Sequence, residues 1–144
     1  MKSTATLVDT GFLVALFNDR DNHHADARRM LSELAGSRLY TVWEVLAEAG
    51  HLLDDTGKLN LMRWTAAGRL TVLASDPAEL GGMADFMAHY ADADLADVAL
   101  VFAANRERIY NILTVDRKDC DRYPIFLNWP LFFRELRRNR IASS

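Results

Sequence analysis

Short runs of apolar residues alternate along the chain with longer segments in which apolar residues recur at helical spacing. The short runs are rich in Val, Leu, Ile and Thr, which is typical of buried strands; they cover residues 6–8, 38–42, 70–73 and 112–115. The longer segments predict helices at residues 12–17, 25–34, 43–53, 59–67, 75–90 and between 94 and 106. This alternation predicts an α/β fold with a mainly parallel sheet that helices cover on both faces.

The last part of the chain departs from this alternation. A fifth apolar run at residues 123–127 contains Pro124, so we expect it to form an edge strand. Residues 130–140 predict a terminal helix. With 144 residues, the chain is expected to form one domain over residues 1–144, with a helical tail at 129–144.

Composition narrows the class of protein. Half of the residues are hydrophobic and 26% are charged, which is typical of a folded domain and not of a disordered chain. The apolar runs are far shorter than the roughly 20 residues of a membrane span, and the first residues lack the apolar region of a signal peptide. We therefore expect a cytoplasmic protein. The single cysteine, Cys120, excludes an intrachain disulfide and a thiolate zinc cluster.

Asp97 lies where a charged residue is unexpected. It is the only charged residue between Asp94 and Arg106, in a helical run whose other residues predict burial. Ionised side chains rarely enter a protein interior without compensation. Asp116 follows the run 112–115, and ligands of open α/β sheets bind at the carboxyl ends of the strands. We therefore expect these acids to share a hard divalent cation with other acids upstream.

Candidate partners for these two acids occur earlier in the chain. Asp9 follows the first strand and precedes a helix, so it is either a member of the site or simply the N-cap of that helix. On the helix at 43–53, Glu48 lies at the edge of the apolar stripe, whereas Glu44 is expected to point closer to solvent. Glu48 is the favoured site residue, unless both glutamates lie on the exposed face. Asp94 either caps its helix or supplies a second ligand.

Four segments of the chain, taken together, carry a family resemblance. They are L-V-D-T-G-F-L-V-A-L-F, T-V-W-E-V-L-A-E-A-G-H-L-L, Y-A-D-A-D-L-A-D-V-A-L-V-F-A-A-N and I-L-T-V-D-R-K-D. In this order, across about residues 6–120, they resemble the PIN-domain ribonucleases that act as toxins in VapBC-type toxin–antitoxin modules. The resemblance implies a three-layer α/β/α fold with a mainly parallel sheet of about four to five short strands.

The resemblance also implies a site and its chemistry. Carried over by position, it implies an acidic quartet of Asp9, Glu48, Asp97 and Asp116, with Asp94 and Asp119 as supporting acids and Thr10 and Thr114 as hydroxyl residues beside the site. It implies a metal-dependent endoribonuclease, because Mg²⁺ or Mn²⁺ prefers carboxylate oxygens and can activate a water molecule against a phosphodiester. His24 is implied to have a structural role.

The implied partners are an RNA substrate, a small antitoxin protein that covers the acidic groove, and a second copy of the chain in a homodimer. No membrane partner is expected.

Two other classes of function share parts of the pattern. A Mg²⁺-dependent phosphotransfer enzyme or receiver domain also uses an aspartate at the end of a strand. However, the sequence after Asp9 lacks the second aspartate that haloacid-dehalogenase phosphatases carry two residues later, and no receiver-like acid pair follows the first strand. A non-catalytic RNA-binding or protein-interaction domain is the other alternative. Such a domain would be expected to have lost acids, whereas all four are present.

Overall fold

The computed structural model describes residues 4–91, 93–109, 111–115 and 124–128. The strands within these residues are β1 (Ala5–Val8), β2 (Arg38–Val42), β3 (Thr71–Leu73), β4 (Asn111–Val115) and β5 (Pro124–Asn128). The helices are α1 (Thr10–Phe17), α2 (His24–Glu33), α3 (Trp43–Leu52), α4 (Asp55–Ala66), α5 (Leu80–His89) and α6 (Leu95–Glu107), and a 3₁₀ turn covers Pro77–Glu79. None of these helices is both long enough and apolar enough to cross a membrane. The predicted tail at 129–144 lies outside the described residues.

The strands form one sheet in the order β3-β2-β1-β4-β5. β1 pairs in parallel with β2 and β4, and β2 pairs in parallel with β3. β5 is antiparallel to β4 and lies at the edge, which suits Pro124 because proline has no N–H to donate to a further strand. The predicted fold class, a mainly parallel sheet flanked by helices in three layers, is confirmed.

The register of β1 against β4 determines which side chains meet at the carboxyl ends of the strands. Leu7 pairs with Ile112, and Val8 pairs with Leu113. The next residues along, Asp9 and Thr114, therefore lie side by side. Because parallel strands end at the same edge of a sheet, the residues that follow them gather there.

The core lies between the sheet and its helices. Its largest fully buried side chains come from β1, α1, β4 and several other elements, and they include Leu7, Phe12, Leu13, Leu100, Ile112 and Leu113. Helix α6 is apolar on nearly all sides, with Ala96, Val98, Leu100, Val101 and Ala104 all buried. Helices of this kind are enclosed by their own protein. Acids in the first turn of α6 are therefore close to the core.

Two helix boundaries differ from the predicted ones. Helix α4 begins at Asp55 instead of residue 59, because the carboxylate of Asp54 accepts a 2.7 Å hydrogen bond from Gly57 N and caps the first turn. The predicted helix at 75–90 is divided into the 3₁₀ turn and α5. The turn begins where the carboxylate of Asp76 accepts a 3.0 Å hydrogen bond from Ala78 N. Aspartate and glycine are common in turns as well as at caps, so their sequence signal was ambiguous.

Gly57 lies where a side chain does not fit. A Cβ atom at this position would be 2.7 Å from the carbonyl oxygen of Phe17, the last residue of α1, and 3.2 Å from both Asp54 Oδ1 and Leu53 Cδ2. The nearest of these atoms belongs to the backbone and cannot rotate away. Glycine thus allows the first turn of α4 to pack directly against the end of α1.

We expect Gly57→Ala to lower the free energy of unfolding by about 1–3 kcal/mol, because the added methyl group overpacks this contact. Gly81→Ala is the matched control. Gly81 also lies in the first turn of a helix, and a Cβ there would have no neighbour within 4 Å. The control should keep or gain stability, by up to about 1 kcal/mol, since alanine favours helix. Urea unfolding of both variants tests this, and equal stabilities would contradict the close approach at Gly57.

Candidate functional site

Asp9 is held in a fixed position between α1 and β4. It is 8% exposed, and its Oδ1 accepts a 2.9 Å hydrogen bond from Phe12 N in the first turn of α1. Its Oδ2 accepts a hydrogen bond from the hydroxyl of Thr114, and its own N–H donates to Leu113 O at 3.2 Å. Asp9 is therefore an N-cap, as one reading of the sequence expected. It is also a buried carboxylate at the carboxyl end of a central strand.

The first turn of α6 brings two further acids together. Asp94 is the N-cap, and its Oδ1 accepts a 2.8 Å hydrogen bond from Asp97 N. An aspartate at this position satisfies one of the N–H groups that a helix start leaves unpaired. Asp97 is half-buried, while Ala96 and Val98 on either side of it are buried. The cap therefore fixes the turn that carries the Asp97 carboxyl group toward the core.

The surroundings of Asp97 raise its pKa from an ordinary value of 3.8 to about 7. Burial is the largest cause, followed by the negative charges of Asp94, Asp9 and Glu48 and by a hydrogen bond with the Asp94 side chain. Burial and nearby like charges both disfavour the ionised form of a carboxyl group. The charges of these three acids can act on Asp97 only because α1, α3 and α6 place them close to it. Four acids named from the sequence thus share one region.

Glu48 and Glu44 lie one turn apart on α3, and both are half-buried. Glu48 is the one whose charge acts on Asp97. Exposure does not separate Glu44 from Glu48. The Oε2 of Glu44 is buried without a hydrogen-bond partner among the described residues, and its Oε1 accepts a 2.9 Å hydrogen bond from Ser75 Oγ. Ser75, in the loop after β3, thus contacts the first turn of α3.

The remaining predicted residues are placed as follows. Thr10 is buried as the first residue of α1, directly after Asp9. His24 has the structural contact that was expected, since its Nδ1 lies 2.9 Å from the carbonyl oxygen of Ala15. Asp116 and Asp119 lie outside the described residues.

The contact between Ser75 and Glu44 was not found from the sequence. Ser75 precedes Asp76 and Pro77, a pattern typical of a helix start, in which either Ser75 or Asp76 can be the cap. Asp76 caps the 3₁₀ turn instead, which leaves the Ser75 hydroxyl to bond across 31 residues. No local pattern signals a contact over that distance.

The chemistry of the gathered side chains fits a hard divalent cation. Asp9, Glu48, Asp94 and Asp97 offer only oxygen donors, which Mg²⁺ and Mn²⁺ prefer. Their mutual repulsion, visible in the raised pKa of Asp97, is what a bound positive charge would relieve. Over residues 4–91, 93–109, 111–115 and 124–128, no three His, Cys, Asp or Glu side chains are arranged to hold an ion by themselves.

The raised pKa of Asp97 predicts how stability depends on pH in chelator-treated protein. The folded state binds the proton more tightly than the unfolded chain, so stability falls as pH rises from about 4 to about 7. The Asp97→Asn variant has no carboxyl group at this position, so it does not lose folding stability for this reason as pH rises. We expect the variant to be more stable than the wild type by about 1–3 kcal/mol at pH 8, and equally stable near pH 4.

Chemical denaturation at both pH values measures this difference. Asp85→Asn, which changes an exposed acid on α5, is the matched control and should show no comparable change between the two pH values. The assignment would be overturned by an Asp97→Asn variant whose stability relative to wild type is the same at pH 4 and pH 8.

Comparison with known proteins places this arrangement of elements in a family. A family profile described as the PIN domain matches residues 6–124. No curated protein matches the chain. The structure of VapC20 from Mycobacterium tuberculosis, described as a sarcin–ricin loop cleaving toxin, is similar with a TM-score of 0.68 at 18% identity, covering 78% of this chain and 90% of that one. PAE2754 from Pyrobaculum aerophilum gives a TM-score of 0.49 at 17% identity, covering 95% and 99%.

The VapC20 likeness concerns the fold, and the family match extends over most of the sequence, including the segments that carry Asp9, Glu48 and Asp97. The expected resemblance is thereby confirmed, and the chain belongs to the PIN domain family.

Proposed function

We propose that this chain is a metal-dependent endoribonuclease that cleaves RNA phosphodiester bonds. The observation that carries the proposal is the gathering of Asp9, Glu48 and Asp94 around the half-buried Asp97, where burial and the charges of these three acids together raise the pKa of Asp97 to about 7. Membership of the PIN domain family supports the same conclusion. Such a concentration of negative charge destabilises a fold and is typical of a functional site.

Each acid has a proposed role. Asp9, Asp97 and Asp116 are metal ligands, directly or through water, and Glu48 is either a ligand or the base that orients the attacking water. Asp94 and Asp119 support the site. When bound, Mg²⁺ or Mn²⁺ would lower the pKa of a coordinated water molecule and stabilise negative charge on the phosphodiester.

The described contacts support the role of Asp9. Phe12 N and the Thr114 hydroxyl each donate to one of its oxygens, so the carboxylate cannot rotate freely. A carboxylate oxygen can accept more than one contact, so these two hydrogen bonds are compatible with a role as a metal ligand. Ligands that are held in place before the metal arrives lose less conformational entropy on binding.

The raised pKa of Asp97 supports its proposed role as a metal ligand. With a pKa of about 7, part of the Asp97 population keeps its proton at neutral pH, which limits repulsion in the metal-free protein. Loss of that proton supplies a new negative charge when a positive charge enters. The site can thus exist without metal and still bind it.

We also propose the partners of a toxin for this chain. VapC20 is a toxin that cleaves the sarcin–ricin loop, and we propose an RNA substrate in the cytoplasm and a small antitoxin protein here as well. A homodimer is the third proposed assembly. The exposed apolar side chains of Leu52, Leu59 and Met62 on α3 and α4 offer a surface that a second copy could cover.

The nuclease proposal predicts cleavage of total RNA by purified protein in Mg²⁺ or Mn²⁺, and none in excess chelator. Asp97→Asn and Asp9→Asn should each lower the rate by at least about 100-fold, because each removes a ligand from the charge-stabilising site. Glu48→Gln should lower it by about 100-fold or more as well. Gel analysis of a defined RNA over time measures these rates.

Two controls make the assay specific. Glu44→Gln changes a glutamate one turn away on the same helix and should retain far more activity than Glu48→Gln. Asp85→Asn should retain wild-type activity because Asp85 lies exposed on α5. Metal-independent cleavage, or full activity in Asp97→Asn, would refute the mechanism. RNA binding without any cleavage would favour a non-catalytic RNA-binding domain.

A further inference from the structure

Trp43 is a large aromatic side chain that the fold leaves exposed. It is the first residue of α3, directly after β2 ends, and it is 56% exposed. The ring pairs found among the described residues do not include it. Trp64 shows the contrasting case, because it is half-buried and packs edge-on against Phe17 with the ring centroids 5.4 Å apart. Unlike Trp64, Trp43 thus presents its ring to solvent.

That position is at the edge of the sheet that carries the acids. β2 pairs in parallel with β1, with Leu7 beside Tyr40. β1 ends at Val8 and β2 ends at Val42, so Asp9 and Trp43 are the first residues after two neighbouring parallel strands. Glu48 lies on the same helix, and helical side chains lean toward the helix start, which brings its carboxylate closer to this edge. Trp43 and Asp9 therefore lie at the same edge of the sheet, after neighbouring strands.

The backbone at Trp43 is firmly held. Val42 before it and Val45 after it are 2% and 1% exposed. The hydroxyl of Thr41 donates a 2.9 Å hydrogen bond to Val8 O on β1, and Glu44 accepts from Ser75 Oγ. An aromatic ring on such a fixed base loses little entropy when another flat group packs on it.

We propose that Trp43 is a binding residue that stacks on a nucleobase of the single-stranded RNA held at the acidic site. This inference rests on the proposed ribonuclease function. The acids around Asp97 repel phosphate groups, so RNA binding at this edge needs a contribution that does not depend on positive charge. Base stacking on an aromatic side chain is such a contribution, and it contributes about 1–3 kcal/mol per base in single-strand binding proteins.

Fluorescence of Trp43 tests the contact directly. The sequence has three tryptophans, so Trp64→Phe with Trp129→Phe leaves Trp43 as the only one. An Asp97→Asn substitution in the same protein keeps the RNA intact. We expect an unstructured adenine-containing RNA oligonucleotide in Mg²⁺ to quench the Trp43 emission, and an abasic oligoribonucleotide of equal length to quench it much less. Equal quenching by both, or none by either, would overturn the stacking contact.

Affinity and steady-state kinetics of single variants complete the test. Trp43→Leu should weaken RNA binding by about 5- to 100-fold, whereas Trp43→Phe, which keeps an aromatic ring, should stay within about 3-fold of wild type. In the cleavage assay, the weaker RNA binding of Trp43→Leu should appear as a raised KM with kcat retained. Leu80→Ala, which truncates an apolar residue on α5 of similar exposure (61%), is the control and should bind RNA normally.

The outcomes separate this inference from the proposed function. If the wild type cleaves RNA and Trp43→Leu has unchanged KM and affinity, the inference is wrong and the nuclease proposal stands. If RNA quenches Trp43 but no RNA is cleaved, the inference stands and the nuclease proposal is wrong. A Trp43→Leu variant that binds RNA normally but changes its oligomeric state in light scattering would show that Trp43 contacts a second copy of the chain instead.

Discussion

Repulsion among carboxylates near the end of β1 is the constraint on which this structure depends. Asp97 is surrounded by the charges of Asp94, Asp9 and Glu48, and it lies on a helix that buries seven of its other side chains. The helices and strands that carry these acids pack around the core, and the burial of Asp9 and half-burial of Asp97 limit the water that could screen them. The fold therefore keeps a concentration of negative charge that only a proton or a cation can neutralise.

The acids that repel one another also stabilise the helix starts around them. Asp9 caps α1 and receives the Thr114 hydroxyl, and Asp94 caps α6 by accepting from Asp97 N. Capping and site membership, which the sequence presented as alternatives for Asp9, are therefore compatible, since a cap uses one lone pair of a carboxylate that has four. Because each cap belongs to the first turn of a helix, the positions of the carboxylates are as well determined as the helices themselves.

Much of this arrangement was predictable because its causes are local. The periodicity of the helices, the short apolar strands and the isolated charge of Asp97 within an apolar run are all visible in the sequence. The environment of Glu44 was not predictable, because its partner Ser75 lies 31 residues away in a loop. The start of α4 was missed for a related reason: Asp54 and Gly57 suit both a turn and a cap, and only the approach of the Phe17 carbonyl distinguishes the two. Asp116 remains a prediction from its place after β4.

The central proposal is that the acids around Asp97 bind a divalent cation. Calorimetric titration of Mn²⁺ into metal-free protein, in buffers of different ionisation enthalpy, counts the protons that binding releases. The account predicts close to one proton released per ion at pH 6, where Asp97 is protonated, and almost none at pH 8.5, where it is ionised. Absence of Mn²⁺ binding, or a release that is the same at both pH values, would contradict it.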